Sequence, residues 1–134
     1  MVSLKAIAIS LVLSVVIAGC KETLPIEKLP QTLTLEAYGP TGKLISSRSL
    51  PTSDPIYERL QELFVREKEG WQRSFTSYKV GPYVLRSPEI TVRCFDDFLV
   101  IDYLRLGKTT SMQKQLPNVL TTLGLADTTY VRQR

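Results

Sequence analysis

From Thr32 to Tyr38 apolar and polar positions alternate, with Leu33, Leu35 and Ala37 set against Thr34, Glu36 and Tyr38. A period of two is the pattern of a half-buried strand. Gly39-Pro40-Thr41-Gly42 and the run Lys43 to Leu50 complete a hairpin signal. Its register stays open, because the apolar faces of the two runs do not line up across the shortest loop. The period then changes. Ile56, Leu60, Leu63 and Phe64 recur at i, i+4, i+7 and i+8, one stripe of a helix expected over residues 54–69. Asp54 can cap its first turn and Pro55 suits the first helical position. Glu62 and Arg66 can pair one turn apart on the outer face. Gly70 is expected to end the helix, with Arg66-Glu67-Lys68-Glu69 as its solvated last turn.

Alternation returns between Ile90 and Leu116. A two-residue turn at Asp96-Asp97 sets Cys94 opposite Leu99, Val92 opposite Ile101 and Ile90 opposite Tyr103, all on one face. On the other face Arg93 lies diagonal to Asp102, near enough to pair. A second turn at Gly107-Lys108 would put Met112 across from Tyr103 and Leu116 across from Leu99. Pro117 opens a short helix whose Val119, Leu120 and Leu123 point inward, and Gly124 ends it. The expected fold class is α+β. A small antiparallel sheet, built from the N-terminal hairpin and the three-stranded meander, packs on one main helix, with a short C-terminal helix beside it.

Upstream of this domain the pattern has no polar face at all. Lys5 supplies a positive start, Ala6 to Ile17 are apolar apart from Ser10 and Ser14, and Ala18 and Gly19 are small residues before Cys20. That apolar stretch falls short of the ~20 residues a spanning helix needs and reads as an export signal. Ile17-Ala18-Gly19-Cys20 resembles the lipobox of bacterial lipoproteins, a resemblance that covers the first sixth of the chain. It implies that residues 1–19 are a signal peptide cut off before Cys20, whose sulfur carries diacylglycerol. Two or more acyl chains anchor durably, each buried CH₂ contributing ~0.8 kcal/mol. Lys21, where enterobacterial lipoproteins retained at the inner membrane carry Asp, leans the expectation to the periplasmic face of the outer membrane. Residues 20–31 hold two prolines and no sustained period, so they read as a lipidated tether. Residues 32–134 are then one globular domain.

Composition narrows the function. The 17 Lys and Arg less Lys5 leave 16 against 13 Asp and Glu, a net of +3 for the mature part. Those charges are scattered, unlike the clusters that track phosphate backbones, so no nucleic-acid role is expected. With Cys20 lipidated, Cys94 has no partner in the chain. It reads as a small buried hydrophobe on a strand, the alternative being an intermolecular disulfide or redox site. The sequence has no histidine, which removes Ser-His-Asp and Cys-His catalysis and the commonest zinc ligand. Asp96-Asp97 could in principle do acid/base work, but a tight turn alone explains aspartates there. Neither catalysis, a metal nor a cofactor is expected.

Binding remains. Trp71 to Ser87 holds the only tryptophan, three further aromatics (Phe75, Tyr78, Tyr83) and three basic residues (Arg73, Lys79, Arg86). Trp, Tyr and Arg are the residues that anchor interfaces. Trp71 and Phe75 read as core caps, and Tyr78, Lys79 and Tyr83, around Gly81-Pro82, as the exposed contacts. In size, anchor and lack of chemistry the chain resembles small lipoproteins that inhibit cell-wall hydrolases or give immunity to toxins delivered into the periplasm. The Ser-Gly-x-Lys loop of lysozyme-inhibitor lipoproteins is missing. The resemblance implies a membrane contact through Cys20 and a periplasmic protein partner. A structural or assembly lipoprotein of the envelope is the alternative.

Overall fold

The computed structural model describes residues 21–74 and 81–126. Its strands are β1 (Lys21–Glu22), β2 (Thr32–Tyr38), β3 (Leu44–Pro51), β4 (Trp71–Arg73), β5 (Tyr83–Arg86), β6 (Ile90–Cys94), β7 (Phe98–Arg105) and β8 (Lys108–Gln115), with helices α1 (Pro55–Arg66) and α2 (Val119–Leu123). All eight strands join one antiparallel sheet, in the order β1-β4-β8-β7-β6-β5-β2-β3. This corrects the expectation of a small sheet packed on one main helix: the sheet is the body of the molecule, and the helices cover one of its faces.

The expected hairpin and meander are both present, but β5 fuses them. Its Tyr-Val-Leu-Arg run pairs with β2 along one side (Leu35 with Leu85) and with β6 along the other (Leu85 with Val92). Four residues are too few to show a period, so the sequence reads as a connection where the backbone is a central strand. β4, three residues long, extends the sheet beyond β8 in the same way.

In the β2–β3 hairpin Leu33 pairs with Leu50 and Leu35 with Arg48, and the register shifts between Ala37 and Tyr38. Ala37 faces Ser46 while Tyr38 faces Leu44, so Ile45 is an extra residue, a β-bulge. The bulge is why the two apolar patterns did not match in the sequence. In the meander the β6–β7 pairs are those expected, Ile90 with Tyr103, Val92 with Ile101 and Cys94 with Leu99. The β7–β8 turn sits one residue earlier than expected, at Leu106-Gly107, both with positive φ (51° and 76°). Met112 therefore faces Ile101 rather than Tyr103, and Lys114 rather than Leu116 faces Leu99. The slip is two residues, which preserves parity and leaves each side chain on its expected face.

Helix α1 starts as its sequence dictates: the Asp54 carboxylate accepts from the Ile56 N–H and Pro55 opens the first turn. It ends earlier than expected. Arg66 is its last residue, Glu67 caps it, and Gly70, at φ +83°, serves the turn into β4. Arg66 turns to Glu67 at 3.7 Å, not to Glu62. Tyr57, Leu60, Leu63 and Phe64 are buried, and α2 buries Val119, Leu120 and Leu123 as expected. These side chains and the inner-facing residues of β2, β5, β6, β7 and β8 form one core.

That core also contains Leu24 and Leu29. Residues 21–31, expected as a tether, are folded onto the domain. Lys21 and Glu22 pair with Gln72 and Trp71. The Leu24 N–H donates to the Lys68 carbonyl, and the Tyr57 hydroxyl donates to the Leu29 and Pro30 carbonyls. Burial of two leucines and satisfied backbone donors outweigh the entropy the prolines already limit.

Candidate functional site

The sheet face away from the helices carries two arginine–carboxylate pairs. Arg86 on β5 reaches Glu36 on β2 at 2.8 Å, and Arg93 on β6 reaches Asp102 on β7 at 3.0 Å, the diagonal pair expected from the register. The hydrogen bond it donates to Glu36, then the Glu36 charge and a bond it donates to the Tyr38 oxygen, hold the Arg86 guanidinium above the usual arginine range despite partial burial. The Ser111 hydroxyl donates to Asp102. Val84 and Val100 sit between these pairs and are also buried. Arginines already neutralised by carboxylates lock neighbouring strands; they offer little to an incoming anion.

The residues singled out for chemistry fall elsewhere. Cys94 is fully buried and unpaired, and burial pushes its thiol up to about 12. A protonated thiol out of reach of solvent is neither nucleophile nor metal ligand. Asp96 and Asp97 are exposed turn residues; their carbonyls accept from the Val119 and Leu116 N–H groups and so fix the entry to α2. Among the described residues no cluster of three or more Cys, Asp or Glu could hold a metal ion.

Of the expected contact residues, Tyr78 and Lys79 lie outside the described residues, as do Phe75 and Cys20. Tyr83 is not an exposed contact. It is an inner-facing residue of β5, opposite Cys94, with 2% of its surface exposed. The strand parity that would have shown this was hidden by the reading of 71–87 as a connection. Trp71 is buried as expected, edge-on to Phe64 with ring centroids 6.4 Å apart, and its indole N–H donates to the Glu67 carbonyl at 2.5 Å.

One exposed feature was missed. Leu104 and Leu106 stand in solvent at the β7–β8 turn, and Leu106 is 95% exposed. The signal was present: Leu-Gly fills a two-residue turn where Asn-Gly is the usual choice. Behind it lies an open groove of about 410 Å³ between Pro25–Lys28 and Glu89, Tyr103–Arg105. A second shallow groove, about 370 Å³, runs beside Lys21, Gln72 and Lys114. No helix among the described residues is long and apolar enough to cross a membrane. Comparison with protein-family models, with curated proteins and with solved structures returned no match.

Proposed function

We propose that the chain is a lipid-anchored binding module of the bacterial envelope, facing the periplasm from the outer membrane and acting on a protein partner as an inhibitor or immunity-type protein. The observation that carries this reading is the run from Lys5 through the apolar stretch to Ile17-Ala18-Gly19-Cys20. Binding is favoured over catalysis by the sequence, which has no histidine, and by the state of its two best nucleophile and acid/base candidates. Cys94 is sealed in the core, and Asp96-Asp97 is a solvated turn.

Mass analysis of the N-terminal peptide, from protein isolated from envelopes of its own host, tests the anchor. The expected product starts at Cys20 and carries a diacylglyceryl group with one further acyl chain. A free thiol at position 20, or residues 1–19 still attached, would overturn the reading. In-cell cross-linking of the same preparation tests the binding role. One stoichiometric periplasmic protein is expected, and recovery of only lipid and bulk porins counts against an inhibitor.

A further inference from the structure

Leu106 occupies a position that suits neither its backbone nor its side chain. Its φ of +51° is one that residues bearing a Cβ rarely adopt, and its side chain is almost wholly in water. Asparagine or glycine would remove both costs. Leu104, two residues earlier, is 57% exposed. Between and after the two leucines stand Arg105 and Lys108, paired across the strands, both exposed and without an ion pair among the described residues. Lys28 adds a further unpaired cation on the facing segment, while Glu27 and Glu89 lie in the groove behind the tip. Exposed leucines interleaved with free cations, on a turn with no carboxylate, match the boundary between acyl chains and anionic headgroups.

The sheet topology sets the distance between this tip and Lys21, the residue after the proposed anchor. β1 is antiparallel to β4 and β4 to β8, so β1 and β8 run the same way. β8 starts at the tip and runs away from it, and so does β1. β1 thus points away from the tip, while Lys21, its first described residue, sits beside the far half of β8. Lys21 lies level with Gln113, five residues up β8 from Lys108, or about 17 Å along the strands. The two are separated across the sheet only by β4 and β8 themselves. Tip and anchor would thus touch the bilayer at two separate points on this side of the sheet.

We propose that residues 104–108 are a second membrane contact, inserting Leu104 and Leu106 at the headgroup boundary of an anionic bilayer while Arg105 and Lys108 engage lipid phosphates. The proposal rests on the lipid-anchor reading of Cys20. Anchor and tip together fix the orientation of the domain and turn the β2–β3 edge, seven strand spacings or about 34 Å from β1, toward the periplasm.

The test uses acylated protein carrying Leu106→Cys, labelled with an environment-sensitive dye; Cys94 is buried and does not compete. It is reconstituted in vesicles of phosphatidylethanolamine and phosphatidylglycerol whose acyl chains are brominated near the headgroup. A blue-shifted dye quenched severalfold by bromine is expected, against no quenching for a dye on Ser47→Cys of β3. Replacing Arg105 and Lys108 by alanine in the labelled chain is expected to cut the quenching at least in half. Water-like emission at position 106 from a chain of confirmed acylated mass overturns the proposal and leaves the tip as a contact for a protein. If the mass instead shows an unmodified Cys20, the anchor reading fails separately. The tip is then judged by co-sedimentation with the same vesicles, where Leu106→Asn must lower partitioning about tenfold.

Discussion

Asp54 holds two donors at once. It accepts from the Ile56 N–H at 2.9 Å as the cap of α1 and from the Arg48 guanidinium at 2.8 Å. The Arg48 hydrogen bond is the largest influence on its carboxyl, which stays below the usual value of 3.8 although partial burial opposes the shift. A depressed carboxyl stabilises the folded state above its ordinary value, and the gain is lost as pH falls through the lowered one. Asp54→Ala should cost about 1 kcal/mol in urea unfolding at neutral pH. The gap from the parent should narrow below about pH 4; an unchanged gap in acid would show that the charge is irrelevant. Cys94 behaves in the opposite sense. Its thiol is raised by burial to about 12, so stability holds while the thiol is protonated in both states and erodes as pH climbs from the ordinary value toward 12. In mildly alkaline buffer a thiol reagent should leave Cys94 of a Cys20→Ser chain untouched until urea unfolds it. Labelling of the native chain at the rate of a free thiol would contradict the burial.

At the scale of elements, the sequence was most legible where apolar residues repeat often enough to fix a parity. Five pairs of β6 and β7 follow from a single turn, and α1 from four residues at helical spacing. Parity survived even where register did not: the β7–β8 turn slipped by one residue, the pairs by two, and the faces by none. Legibility ended at short pieces. Among the described residues β1, β4 and β5 contain two, three and four, and nothing in such runs separates strand from loop. The segment 21–31 shows the same limit more sharply. Leu24 and Leu29 are five apart, which matches neither period, and the segment is held by residues over forty positions away, the Leu24 N–H by the Lys68 carbonyl and Glu22 by Trp71. Leu24→Ala decides whether this docking stabilises the fold. A buried leucine should cost about 2–5 kcal/mol, read as a lower urea midpoint with an unchanged slope. A change within about 0.5 kcal/mol, normal for an exposed residue, would restore the tether.

For the whole molecule, strand order was the least legible property, because it is set by contacts far apart in sequence. β4 and β5 are successive elements, yet β8, β7 and β6 lie between them. No local pattern carries that information. An open sheet also has two edges, and an exposed edge invites pairing with another copy. Among the described residues the β1 edge holds two, Lys21 and Glu22. The β3 edge runs eight residues and exposes Leu44 and Ile45, so it is the one that needs protection. Two devices supply it. The bulge at Ile45 breaks the flat ladder, and Arg48, opposite Leu35 on the helix-facing side, places a charge where an apolar residue would otherwise extend the core face. Its tie to Asp54 holds that guanidinium in place. Arg48→Val would remove the charge and keep strand propensity, leaving Leu44, Ile45, the new side chain and Leu50 along one edge. The variant should self-associate with rising concentration in sedimentation velocity, with a gain of β signal in far-ultraviolet circular dichroism, while the parent stays monomeric. Asp54→Ala, which frees Arg48 but keeps its charge, should not associate. If Arg48→Val sediments as a monomer at every concentration, the bulge alone guards this edge and the arginine serves only the helix cap.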